Sequence, residues 1–147
     1  MSVHFLSGLS PAFASSATAV MVNGNTLFTV AGGPILIVGL VSLCITTNDA
    51  TASTLQYTTG PTVGSAQTIS AASGSLANAA AGASVALIGT ALTTAANLNA
   101  NGPNLSMTAP LFCPAGTIKA VIGVGSTTGT WKHYISYILL ASGVTVS

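Results

Sequence analysis

The side chains able to do chemistry are few and scattered. Two thiols, Cys44 and Cys113, two histidines, His4 and His133, one carboxylate, Asp49, and two ammonium groups, Lys119 and Lys132, are all that 147 residues provide. A Cys-His-Asp relay can be written from either thiol with His133 and Asp49. Activation of a nucleophile needs its base in a defined local context, and neither thiol has one. Positions 4, 49 and 133 show no metal-ligand spacing. A lone carboxylate cannot form the acid/base pair of two-carboxylate chemistry. Gly32-Gly33-Pro34 matches neither a P-loop nor a dinucleotide fingerprint, because no Lys or helix start follows. The expectation is a chain with no catalytic residue, no cofactor and no metal, and hence not an enzyme.

The remaining polar and aromatic candidates have plainer readings. Cys44 lies in the most apolar stretch and Cys113 precedes Pro114, so both read as buried thiols, and a single pair defines no disulfide framework. Trp131, Tyr134 and Tyr137 form either a platform for sugars or bases, or the aromatics of a half-buried strand. The second is expected, with the rings in the core or at a subunit contact. His133 has no partner that the sequence can name.

Charge narrows the partners. Only 2% of the residues are charged and half are hydrophobic, whereas about 25% charged is usual for a soluble domain. Two isolated lysines cannot make the basic face that nucleic acid requires. A lone monomer ordinarily needs more charge than this to stay dispersed. The surface is therefore expected to be covered by partners, with the abundant Ser, Thr and Asn wetting the rest.

A membrane span is the competing explanation for a mean hydropathy of +0.76. The candidate is residues 27–45, LFTVAGGPILIVGLVSLCI. Gly32, Gly33 and Pro34 break it, leaving a Val- and Ile-rich run at 35–45 that is too short to cross about 30 Å of hydrocarbon as a helix. No Lys or Arg flanks it to set an orientation. The N-terminus has small residues but no basic region preceding an apolar core. Membrane insertion is not expected.

The elements that must position these residues read as punctuated strands. Residues 1–24 have no clean period and are expected to form an extended N-terminal arm, followed by a domain at 25–147. Asn23-Gly24-Asn25 is a turn signal, 26–30 a strand, Gly32-Gly33-Pro34 a tight turn between neighbouring strands, and 35–47 a long strand. Further strands are expected at 54–59 and around 67–69. The Ala- and Gly-rich middle, 71–100, is helical by propensity. Gly74, Gly82 and Gly89 interrupt it, so 85–90 reads as a strand, with a short helix at 73–81 as the alternative and 97–104 as loop. Strands at 117–125 and 130–140 are expected to form a hairpin about the turn 126–129, bringing Lys119 and Lys132 near one another. Along 130–140, Trp131, His133, Ile135, Tyr137 and Leu139 fall on one face and Lys132, Tyr134, Ser136, Ile138 and Leu140 on the other. Such short strands with Gly/Pro turns predict an all-β, single-domain β-sandwich, the jelly roll being one form of it.

Three stretches resemble the small head decoration, or cement, proteins of tailed bacteriophages. They are Leu27-Phe28-Thr29-Val30-Ala31-Gly32-Gly33-Pro34 leading into an apolar strand, Gly60-Pro61-Thr62-Val63-Gly64, and the ending from Ala109. That ending holds Pro114-Ala115-Gly116-Thr117-Ile118, Thr128-Gly129-Thr130-Trp131 and Tyr137-Ile138-Leu139-Leu140-Ala141-Ser142-Gly143-Val144. The resemblance covers about half the chain, and similar proteins carry more acidic residues. It implies a virion structural protein on the capsid surface, clamping the major capsid protein as a homotrimer, with contacts at Trp131, Tyr134, Tyr137, Ile138 and Leu140 and at Phe5 and Phe13 of the arm. A tail- or fibre-associated virion protein that binds host glycans is the alternative, and a small membrane protein a further one.

Overall fold

A computed structural model describes residues 10–147, and the expected contact residue Phe5 lies outside that range. Segments broken by Gly and Pro, the longer ones alternating between inward and outward positions, build twelve strands among the described residues. In chain order they are β1 (Ala12–Ser15), β2 (Ala19–Val20), β3 (Thr26–Ala31), β4 (Ile35–Cys44), β5 (Thr54–Pro61) and β6 (Gln67–Thr68). The remainder are β7 (Ser84–Ala86), β8 (Asn97–Asn99), β9 (Leu111–Cys113), β10 (Gly116–Gly123), β11 (Thr130–Leu139) and β12 (Thr145–Val146). No helix occurs among the described residues. The protein is all-β with two antiparallel sheets. The first runs β1-β11-β4-β7-β8, with β2 also on β11 and β9 also on β4; the second runs β12-β3-β10-β5-β6.

The pairings are nested. β5 pairs with its successor β6, β4 with β7, β3 with β10, and β1 with β11. The chain thus folds like one long antiparallel hairpin rolled up, its successive pairs falling alternately in the second and first sheets. A single hydrophobic core joins the sheets, with Ile35, Ile37 and Leu40 from β4 meeting Leu55 and Tyr57 from β5 and Phe28 from β3.

Two expected hairpins are corrected by this arrangement. Gly32-Gly33-Pro34 does not join neighbouring strands; it carries the chain from β3 in the second sheet to β4 in the first. Gly32 has φ +86°, and a Cβ there would stand 2.6 Å from the Gly143 carbonyl oxygen, so the corner needs glycine for both reasons. The segment 126–129 likewise passes from β10 in the second sheet to β11 in the first, which separates Lys119 from Lys132. A Ser/Thr/Gly cluster signals a reversal but not whether the strand returns beside its predecessor or opposite it.

The middle segment forms no helix at 73–81. Its amides reach distant carbonyls instead: Ser73 to Leu55, Leu76 to Ser53 and Asn78 to Asp49. Leu76, Ala79 and Ala83 are drawn into the core by these ties. The region expected as loop at 97–104 begins with strand β8, paired to β7. Within the expected arm, β1 and β2 both pair with β11, and Met21 is buried, its N–H bonded to the Thr127 hydroxyl at 2.8 Å.

Candidate functional site

Strand β11 separates two candidate regions, one on each of its faces. The inner one is a buried polar chain. Period-two alternation turns Ser42 of β4 and His133 of β11 inward, and register sets them opposite each other. Tyr57 reaches them from β5 in the second sheet. The Ser42 hydroxyl lies 2.7 Å from the Tyr57 hydroxyl and 2.7 Å from His133 Nδ1, and the Tyr57 hydroxyl donates to the Val85 carbonyl at 3.1 Å.

Proton counting fixes the directions. Tyr57 has one proton, which goes to the Val85 carbonyl, since a carbonyl only accepts. Ser42 must then donate to Tyr57 and accept from Nδ1–H of His133. That tautomer leaves the lone pair on Nε2, for which the described residues supply no hydrogen-bond partner. The ring lines a cleft of about 190 Å³ together with Ser16, Val20, Asn25 and Trp131.

The direction of this chain limits its chemistry. A serine nucleophile passes its proton to histidine, whereas Ser42 here receives one from it and is fully buried. Burial lowers the His133 pKa to about 4, so the ring is neutral at neutral pH. A general base works best with a pKa near the working pH. The ring is therefore a fixed neutral donor to Ser42, which in turn reaches Tyr57 in the second sheet. Burial also pushes the Tyr57 hydroxyl upward, keeping it protonated.

The other titratable groups are not assembled with it. Cys44 is a buried free thiol that donates to the Thr46 carbonyl, and burial raises its pKa. Cys113 is also free and buried, its pKa pushed to about 11 by desolvation. Neither thiol presents the thiolate that reactivity requires. Asp49 is held below the usual carboxylate range chiefly by the Thr51 backbone N–H, in an exposed turn. No group of three His, Cys, Asp or Glu side chains able to hold a metal occurs among the described residues.

The outer region is apolar and open. On that face Phe13 of β1 pairs with Ser136 and Ser15 with Tyr134, while β4 sets Gly39 beside Ser136 and Val41 beside Tyr134. Farther along the same face, Ile138 stands opposite Leu36, and Leu36 opposite Phe112 of β9. Phe13 is 75% exposed, Phe112 60% and Tyr134 41%. A groove of about 240 Å³ opens between Phe13, Val41 and Tyr134, with Gly39 and Ser136 also lining it. The single charge on this face of β11 is Lys132, whose Nζ stands 5.7 Å from the Tyr134 ring centroid.

The expected contact residues divide between these regions. Phe13 and Tyr134 belong to the outer face, Leu140 is half-buried at the end of β11, and Ile138 is buried. Trp131 and Tyr137 are core residues. Trp131 is 0% exposed and donates Nε1–H to Asn48 Oδ1 at 3.3 Å. Asn48 also accepts from Gly129 N–H and donates to the Leu76 carbonyl, so one buried amide anchors the indole, the 126–129 connection and the middle segment.

Sequence reasoning missed the Tyr57-Ser42-His133 chain and the Asn48 hub. A signal for the first existed: Ser42 and His133 are polar interruptions in otherwise apolar inward-facing rows. Phe112 on the outer face carried none, because β9 has only three residues. No family model, curated protein or solved structure matches this chain.

Proposed function

We propose that the protein is a virion structural subunit, a capsid decoration protein that self-associates and covers the outer surface of the head. The observation that carries this reading is the outer face of the first sheet, where Phe13 and Tyr134 stand exposed on the adjacent strands β1 and β11 and Phe112 on β9, beyond β4, with little charge among them. Monomers seldom expose a contiguous apolar patch without a partner for it. The chain has almost no charge with which to keep such a face apart from other surfaces.

We further infer a β-sandwich of jelly-roll type. The nested order β1-β11-β4-β7 in one sheet and β3-β10-β5-β6 in the other supports it. So does the Ser42–Tyr57 hydrogen bond, which joins a strand of each sheet. Jelly rolls recur in viral capsid and lectin domains, which makes the fold compatible with the role without establishing it. The glycan-binding alternative loses its largest aromatic, because Trp131 is buried. The membrane alternative loses its span: residues 27–45 are divided between β3 and β4, and no helix of the described residues is long and apolar enough to cross a bilayer.

The test is the oligomeric mass of the purified chain together with its stoichiometry in purified virions. A trimer bound in stoichiometric amount supports the proposal. A monomer absent from virions overturns it, and unaided assembly into closed particles replaces it with a shell-forming role. With apolar contact dominating, occupancy should persist from low salt to about 1 M NaCl, because there are few ion pairs to screen. Release over that range would count against apolar attachment.

A further inference from the structure

The sequence contains two Asn-Gly pairs, Asn23-Gly24 and Asn101-Gly102. Both asparagines are exposed and both glycines have positive φ, +86° and +99°. Their hydrogen bonding differs. The Gly24 N–H donates to the Ala120 carbonyl at 2.8 Å, and Asn23 Oδ1 accepts from the Ile122 N–H at 3.1 Å. Both groups that would have to react are thereby held by β10. At the second pair, Asn101 N–H bonds to Asn99 Oδ1 at 2.9 Å and the Gly102 carbonyl accepts from the Ser84 hydroxyl at 2.6 Å. These bonds shape the turn but leave the Gly102 N–H and the Asn101 carboxamide without partners among the described residues.

We infer that Asn101-Gly102 is a site of spontaneous covalent modification, converting by cyclisation and addition of water to aspartate and isoaspartate, while Asn23-Gly24 is protected by its hydrogen bonds to β10. The Gly102 backbone nitrogen loses its proton and attacks Asn101 Cγ. A Cγ–N bond forms, the Cγ–Nδ2 bond breaks, and the proton leaves with ammonia. Solvent water then opens the five-membered imide at either carbonyl. Attack at one carbonyl gives aspartate; attack at the other leaves the main chain running through the former side chain. No oxidation or reduction is involved.

Glycine makes the step accessible because no Cβ shields its nitrogen. Every other asparagine in the chain is followed by a residue with a side chain. The consequence is large for this composition. The chain has one side-chain carboxylate and a formal net charge of +1, so a single event doubles the carboxylates and brings the net charge to zero. The new charge arises on the loop after β8, beside the amide network in which Asn104 binds Ser84 and Asn97.

The experiment incubates the folded full-length protein in mildly alkaline buffer and follows both sites by peptide mapping with isoaspartate resolved. A parallel sample is kept unfolded in urea. Product should accumulate at position 101 roughly tenfold or more faster than at 23 in the folded protein, since a single net hydrogen bond is worth about that factor. In urea the two rates should converge, because the bonds to β10 are gone. The Asn101→Gln variant should lose the acidic species that wild type develops on ion exchange. Equal rates at both sites in the folded state, a faster rate at 23, or a folded-state rate at 101 far below its rate in urea would each overturn the inference.

Discussion

The two faces of β11 carry the same kinds of residue to opposite ends. Its inner face holds Trp131, His133, Ile135 and Tyr137, all buried, with the Trp131 indole bonded to Asn48 and His133 Nδ1 to Ser42. Its outer face holds Lys132, Tyr134 and Ser136, flanked by Phe13 and Phe112, and is exposed at Phe13, Tyr134 and Phe112. The inner rings are enclosed in the core, and Trp131 and His133 are also fixed by hydrogen bonds, which leaves no freedom for recognition. The outer ones are held only by strand register, which leaves their surface available. Aromatic content therefore does not distinguish core from contact here; what lies opposite each ring does.

Substitutions should separate the two faces, beginning with the largest effect. Trp131→Ala empties the core and leaves Asn48 Oδ1 one donor short, so denaturant unfolding should show a loss of about 3–5 kcal/mol. Tyr134→Ala on the opposite face should cost less than about 1 kcal/mol of monomer stability. Comparable losses for both would erase the distinction.

Acid should act on the inner face alone. His133 titrates at about 4 in the folded protein against an ordinary 6.5. Between these values the unfolded chain binds the additional proton, so stability present above pH 6.5 is lost as pH falls through this window and stops falling below about 4. The linked change is of order 3 kcal/mol. Denaturant midpoints measured against pH should show this slope in wild type, and His133→Gln should flatten it.

Ser42→Ala removes the middle of the polar chain and leaves the Tyr57 oxygen and His133 Nδ1–H facing an apolar methyl. A loss of about 2 kcal/mol is expected. Combining it with Tyr57→Phe should cost less than the sum of the single changes, because the two share one network. Strict additivity would show that the hydrogen bonds are not coupled.

The smallest expected stability change belongs to Phe13→Ser, within about 0.5 kcal/mol on the monomer. Its effect should fall on association, lowering oligomeric mass or capsid occupancy at unchanged unfolding midpoint. A shifted midpoint with unchanged association would move Phe13 from the contact face to the fold.

Much of the strand content was legible because alternation survives without context. The segments at 26–30, 54–59, 117–125 and 130–140 coincide closely with β3, β5, β10 and β11. The inward side of β11 from Trp131 to Tyr137 was legible for the same reason. At its end burial no longer follows the faces: Ile138, on the outer face opposite Leu36, is buried and Leu139 is exposed, and a register shift between Ser136 and Tyr137 leaves Val38 of β4 unpaired. The polar chain was not legible, since Tyr57, Ser42 and His133 lie far apart in sequence and meet only when β5 of one sheet covers β4 and β11 of the other.

The sequence by itself determined an all-β chain, nearly free of charge, with strands cut by Gly and Pro and without paired acids or a basic face. These are local or additive properties, set by composition and by a repeat of two. Only the tertiary structure decided which turns reverse a strand within a sheet and which carry it across, because both use the same residues. It also decided that Trp131 is core while Phe13 is surface, and that one Asn-Gly pair is held while the other is free. Each of those outcomes depends on a partner brought from elsewhere in the chain, and no local pattern encodes its arrival.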